Sequence, residues 1–178
     1  MKKTLLALLA ILSLCLTANA QKKNGKTLVA YVSMTGRTAQ AAQILAEVTG
    51  GELYEVEPAE RYSEADLDWR DQNSRSYVEM HNLESRPALK AKKNDIADYD
   101  TIYLGFPIWW NLAPTLVNSF VEAHNLSGKT IIPFATSGGS KIVNSVRELK
   151  KAYPNLNWQD GMLLNGMDKD AIRQLVNR

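Results

Sequence analysis

Three short segments carry residue types that could hold a small, partly anionic molecule. The first is Ser33-Met34-Thr35-Gly36-Arg37-Thr38, which sets three hydroxyls and a glycine just ahead of a helical pattern. Free backbone N–H groups and the positive end of a helix dipole favour an anion at such a place. Hydroxyl donors add hydrogen bonds without the bulk of lysine, so a phosphate monoester suits the loop. The same hydroxyls suit a helix-capping cluster with no ligand equally well. The segment contains neither G-x-x-x-x-G-K-[ST] nor G-x-G-x-x-G, so it is not a nucleotide-hydrolysing P-loop or a dinucleotide fingerprint.

The second segment is Gly105-Phe106-Pro107-Ile108-Trp109-Trp110-Asn111. Two adjacent tryptophans in a loop are costly to expose, and a planar aromatic ligand would use one of them as a stacking surface. The other reading has both indoles pack beneath a long insertion that precedes them, residues 58–98. The third is Thr136-Ser137-Gly138-Gly139-Ser140. Paired glycines allow close backbone approach, and their N–H groups with the flanking hydroxyls can donate to ring carbonyls and nitrogens. A plain turn with Ser140 as the cap of the next helix is the competing reading. Taken together, the three loops describe one pocket, with phosphate at the first and a flat ring between the other two.

No acid–base pair accompanies them. His81 and His124 have no partner at catalytic spacing, so no catalytic side chain is named. The single cysteine, Cys15, falls in an apparent leader, which excludes a disulfide framework, a cysteine zinc site and a thiol nucleophile from the mature chain. Asp66, Asp68 and Asp71 are read as a solvated helix face rather than a metal site.

Composition limits the remaining classes. The chain has 178 residues, suggesting one domain, and its 45% hydrophobic and 22% charged residues are a globular balance. Removing Lys2 and Lys3 with the leader takes the 21 basic residues to 19, equal to the 19 acidic ones. Net zero argues against a nucleic-acid partner.

The elements that must position the three loops alternate in type. Leu28–Val32 is an apolar run expected to be a strand buried on both faces. A helix follows with Ala41, Leu45 and Val48 on one side, ended by Gly50-Gly51. Strands are expected again at 53–56, 102–106, 130–135 and 162–164. Helices are expected around Leu116/Phe120 and Val117/Val121, around Ile142, Val146 and Leu149, and over 169–176. Alternating units of this kind build a parallel sheet with helices on both faces, whose ligands bind beyond the carboxyl ends of the strands. Pro133 is awkward, because proline removes a ladder hydrogen bond from a central strand. Residues 58–98 break the rhythm and form an insertion, with a polar helix expected over 64–80 touching the rest through Leu67, Tyr77 and Met80.

The first twenty residues read as an export signal. Met1-Lys2-Lys3 is positive, 5–16 is apolar apart from Ser13, and Ala18-Asn19-Ala20 gives the small-x-small cleavage pattern. Cleavage is expected before Gln21, leaving a domain over 21–178 in the periplasm with no membrane span. Lys2-Lys3 is not a twin-arginine pair, so the chain is expected to cross unfolded and to take up any cofactor afterwards.

With these residues in view, the chain resembles the flavodoxin-like flavoproteins from Lys26 to about Gly166. The match is to small bacterial members that share its phosphate loop, its Gly-x-Pro-Ile-Trp-Trp segment and its Thr-Ser-Gly-Gly-Ser segment. The resemblance implies a three-layer, doubly wound α/β fold with a five-stranded parallel sheet in order 2-1-3-4-5, and FMN as cofactor. It further implies phosphate contacts from Ser33, Met34, Thr35, Gly36, Arg37 and Thr38. Ring contacts would come from Pro107, Ile108, Trp109, Trp110 and Asn111 on one side and from Thr136, Ser137, Gly138 and Gly139 on the other. Arg37 stands where the group commonly has asparagine, and Lys141 where it commonly has glycine. Arg37 either contacts the phosphate or points to solvent.

The function expected from this is an FMN-dependent oxidoreductase passing electrons to quinone-like or other small acceptors, the reactive group being flavin N5. A flavodoxin-type electron carrier serving a redox protein partner is the second reading. Such carriers are usually strongly acidic, which a net charge of zero does not match. A non-enzymatic protein that keeps the fold without FMN is the third. The sequence leaves a homodimer open.

Overall fold

The computed structural model describes residues 25–177; the leader, its cleavage point and Cys15 lie outside the described residues. The elements in chain order are β1 (Lys26–Tyr31), α1 (Arg37–Thr49), β2 (Glu52–Glu55), α2 (Arg75–His81), β3 (Tyr99–Pro107), α3 (Thr115–Ala123), β4 (Thr130–Thr136), α4 (Val143–Ala152), β5 (Asn157–Trp158), β6 (Met162–Leu163) and α5 (Lys169–Val176). Every pairing between strands is parallel, and the order is β2-β1-β3-β4-β5, with β6 also on β4. The α/β sandwich expected from the alternation is therefore present.

Side chains alternate across the three central strands and divide the core in two. Leu28, Ala30, Ile102, Leu104, Phe106 and Ile131 face α3 and α4, where Leu116, Phe120 and Val146 meet them. Val29, Tyr31, Tyr103 and Phe134 face the other way, onto Ala42, Leu45 and Ile172 of α1 and α5. Gly105 is required on this second face. A Cβ there would lie 2.2 Å from Cζ of Phe134, inside the ring's own volume.

The fifth position in the sheet differs from the expected single strand at 162–164. It is filled by two short strands that pair with opposite ends of β4, Thr130–Ile131 with β5 and Phe134–Ala135 with β6. This break explains how Pro133 sits in a central strand. Ile131 and Ala135 turn their carbonyls to the β5/β6 side, accepting from Gln159 N and Leu164 N at 2.8 Å each. Pro133 has the same parity, so its missing N–H faces the gap between the two short strands. It pairs only in register with Leu104 on the β3 side.

Residues 58–98 also depart from expectation. The continuous helix over 64–80 is replaced by a short 3₁₀ turn at Ala65–Leu67, irregular chain, and then α2. The three aspartates explain this, because each bonds nearby backbone instead of lining a helix face. Asp66 accepts from Ser63 N at 2.8 Å, Asp68 from Arg70 N at 3.1 Å and Asp71 from Asn73 N at 2.9 Å. Ser74 then caps α2 by accepting from Tyr77 N. Met80 is buried as expected, whereas Leu67 and Tyr77 are half-buried. No helix among the described residues is long and apolar enough to cross a membrane.

Candidate functional site

The loops after β1, β3 and β4 emerge at one edge of the sheet and meet at Thr136. Its hydroxyl hydrogen-bonds that of Thr38 at 2.8 Å, in a buried position. Its carbonyl accepts from Ile108 N at 2.9 Å, continuing the β3–β4 ladder into the loop. One residue thus ties the three segments together.

In the first loop, Gly36 caps α1 in the left-handed region, with φ of 83°. Ser33 Oγ accepts from Ala39 N at 3.2 Å, and Gly36 O from Gln40 N at 3.0 Å. The capping role of Ser33 is therefore real. It leaves the N–H groups of Thr35, Gly36, Arg37 and Thr38 without a protein acceptor among the described residues. Four successive free donors at a helix start are suited to a phosphate, as in a backbone N–H nest. The space beside Gly36 is open to at least 4 Å. The Met34 side chain instead packs against the core. The Arg37 side chain is exposed and lines a cleft of about 640 Å³ on the α1 and α5 side, with Gln40, Ser137 and the 164–167 loop.

The second loop is a tight turn. Trp109 and Leu112 exchange both backbone hydrogen bonds, at 3.0 and 2.8 Å, and the two residues between them have positive φ, 43° at Trp110 and 66° at Asn111. Asn144 Nδ2 and Ser145 Oγ of the α4 region donate to Asn111 O, at 3.0 and 3.2 Å, and pin the turn. The insertion meets both indoles. Tyr62 stands edge-on to Trp109 with centroids 5.8 Å apart, and Tyr77 and His81 stand edge-on to Trp110 at 5.6 Å each. Packing against the insertion is therefore part of what the indoles do, yet Trp110 keeps 36% of its surface exposed. Ile108, Trp109 and Trp110 also wall a slot of about 300 Å³, completed by Leu67, Trp69 and Ser76.

Tyr62 is held in turn. Its hydroxyl donates to Glu79, Arg75 Nε pairs with Glu79 Oε1 at 2.7 Å, and the Arg75 guanidinium lies 4.0 Å from the Tyr62 ring centroid. Burial first, and then the bond to Glu79, raise the Tyr62 phenol well above the usual tyrosine range.

The third loop is braced by a side chain that carries no local signal of its role. Asn165 Oδ1 accepts from Ser137 N, and Asn165 Nδ2 donates to Ser137 O, both at 2.8 Å. Ser137 Oγ accepts from Gly139 N and Ser140 N, at 3.1 and 2.7 Å, so Ser137 and not Ser140 caps this turn. Of the donors expected here, Gly138 N–H remains open among the described residues. Both glycines border open space.

Trp69, Ser76, Tyr62 and Asn165 are the residues that sequence reasoning passed over. A tryptophan in the polar stretch around Trp69 was the one available signal. The histidines are placed plainly. His124 Nδ1 lies 2.7 Å from Phe120 O and Nε2 accepts from Lys93 N, which makes it structural. His81 stacks on Tyr77 with centroids 3.7 Å apart. Among the described residues, no group of three or more His, Cys, Asp or Glu side chains converges as a metal site would require.

The chemistry of the site fits FMN in two respects. The N–H nest matches a phosphate in charge and donor number, and the rim offers aromatic and glycine-lined surfaces beside it. Comparisons with known proteins point the same way. The flavodoxin family model matches residues 26–178. A candidate flavoprotein from Bacteroides uniformis is 55% identical, with TM-score 0.85, covering 86% of this chain and 99% of its own. One from Bacteroides eggerthii is also 55% identical, with TM-score 0.84, covering 85% and 96%. A flavoprotein from Lactobacillus acidophilus, solved in complex with FMN, is 25% identical, with TM-score 0.64, covering 78% and 93%. No curated protein matches the chain.

Proposed function

The chain belongs to the flavodoxin family, and on that footing we propose that it binds FMN at the carboxyl edge of its sheet and works as an oxidoreductase toward quinone-like or other small acceptors. The observation that carries this reading is the set of four N–H groups from Thr35 to Thr38 that have no acceptor among the described residues, opened by Gly36 at the start of α1. Uncharged backbone donors hold a phosphate through fixed dipoles that need no reorganisation. Arg37 can add a charge-assisted contact from the exposed side. Pro107 to Asn111 and Thr136 to Gly139 are the segments that would bracket the ring. Bound FMN supplies hydride and single-electron chemistry; the protein supplies orientation, access and electrostatics.

The chain's own contribution is rigidity at the rim. Thr38, Ile108 and Asn165 fix the third loop from three directions. Asn144 and Ser145 fix the second. No side chain is assigned a proton-transfer role. The net reaction moves two electrons and two protons onto a quinone, giving the hydroquinone, with NAD(P)H supplying a hydride and water supplying the second proton. We also propose export with cleavage before Gln21, on the strength of the leader sequence, so that the cofactor is acquired outside the cytoplasm.

A visible spectrum of the purified mature protein, before and after adding FMN, tests the binding reading. Flavin absorbance that stays with the protein through gel filtration supports it, and a protein that neither carries nor takes up FMN refutes it. Steady-state NAD(P)H oxidation with a quinone then separates an oxidoreductase from a carrier, which would be reduced only by a protein partner.

A further inference from the structure

We propose that the slot between the insertion and the second loop is the binding site for the electron acceptor, and that it selects a flat, uncharged aromatic carbonyl compound of two-ring size. The proposal rests on the redox reading above and adds to it a location and a selecting chemistry.

Three indoles wall the slot from two separate parts of the chain, Trp109 and Trp110 from the second loop and Trp69 from the insertion. Trp69 leaves 69% of its surface exposed, a large apolar area to leave in water. Stacking against a planar ligand removes that area from solvent. Leu67 and Ile108 supply the rest of the apolar lining, and among the described residues none that line the slot is charged. An anionic or cationic substrate would meet no counter-charge there, whereas a neutral ring meets complementary surface.

Ser76 supplies the polar element. It lines the slot, is 2% exposed, and its hydroxyl has Ser74 Oγ as its hydrogen-bond neighbour at 3.5 Å, the outer limit of such a contact. Ser74 Oγ already accepts from Tyr77 N. Either hydroxyl of that pair can be the donor; with Ser74 donating, the Ser76 proton is left for a ligand carbonyl oxygen. A volume of about 300 Å³ is at the small end of ligand sites, enough for a two-ring molecule and too little for a dinucleotide. The slot shares Ile108 to Trp110 with the loop assigned to the flavin ring. An acceptor seated there is therefore separated from the cofactor's surroundings by no more than that loop.

The test uses the FMN-loaded mature chain and 2-methyl-1,4-naphthoquinone, with affinity measured by equilibrium dialysis in the absence of reductant. Trp69→Ala should weaken quinone binding by about tenfold or more, the loss expected for one stacking face. Trp69→Phe should recover most of it. Ser76→Ala should weaken the quinone by about three- to tenfold, as for one lost hydrogen bond, yet leave 2-methylnaphthalene, which has no carbonyl, unaffected. FMN affinity, read by flavin fluorescence, should stay within about twofold in all three variants, since none of them is in the flavin loops.

Unchanged quinone affinity in Trp69→Ala overturns the proposal. So does a parallel loss of FMN affinity, which would make the slot part of the flavin's own site. If the quinone binds as described but NAD(P)H never reduces it, the redox reading fails and the slot stands. If turnover proceeds with a quinone KM that Trp69→Ala does not move, the slot fails and the redox reading stands.

Discussion

The side-chain amide of Asn165 pairs with both backbone groups of Ser137, at 2.8 Å in each direction, as a neighbouring strand would. The chain from β6 thereby continues the ladder past its own end and holds the loop after β4. Asn165→Ala should free that loop at a cost of about 1–3 kcal/mol for two neutral hydrogen bonds, the lower end applying because the pair is exposed. FMN affinity should fall by about three- to tenfold, the equivalent of one such bond. Flavin-fluorescence titration, with amide exchange at Ser137, measures both effects, and a protected Ser137 amide in the variant would show that the clamp is dispensable.

Gly36 sits at φ of 83° with open space beyond its Cα. Gly36→Val would force a β-branched residue into the left-handed region, costing about 1–2 kcal/mol, and would put methyl groups in front of the N–H nest. FMN binding should be lost at concentrations that saturate the parent. An identical titration curve would remove the first loop from the site.

One of the two loop indoles should carry much of the ring binding. Trp109→Ala or Trp110→Ala is expected to weaken FMN by about 1–3 kcal/mol, a stacking contribution, measured by the same titration. If neither substitution changes affinity, neither indole stacks on the flavin and the second loop serves the insertion alone.

Tyr62 gives a pH signature. Its phenol is raised in the folded state, so between the ordinary tyrosine value of about 10 and the higher folded value the native chain holds a proton that the unfolded chain has lost. Stability from this group is complete below that window and declines as pH rises through it. Thermal melts across the alkaline range should therefore fall less steeply in Tyr62→Phe than in the parent. Equal slopes would mean that the Tyr62 phenol is not raised by its burial and its bond to Glu79.

How much of this was legible in the sequence depends on whether the signal was local. The central strands were, because buried parallel strands show as apolar runs such as Leu28–Val32, and α1 was, because Gly50 ends its periodicity. A continuous 64–80 helix does not form, and the sequence does not show this because a polar stretch with few apolar contacts reads the same whether its aspartates face solvent or fold back on the chain; Asp66, Asp68 and Asp71 do the latter. Strand β5 is two residues long and offers no pattern to find. The three loops were recognisable from hydroxyl, glycine and tryptophan content. Their bracing by Asn165 and Tyr62 was not, since each acts across 28 or 47 positions in the chain through contacts that only the topology creates.

The division of the fifth strand has a consequence for association. A sheet margin made of two short pieces, with a proline behind the interval, offers an incoming chain no continuous row of donors and acceptors to copy. A chain that is still folding meets other unfinished chains. There the broken margin guards against stray strand addition.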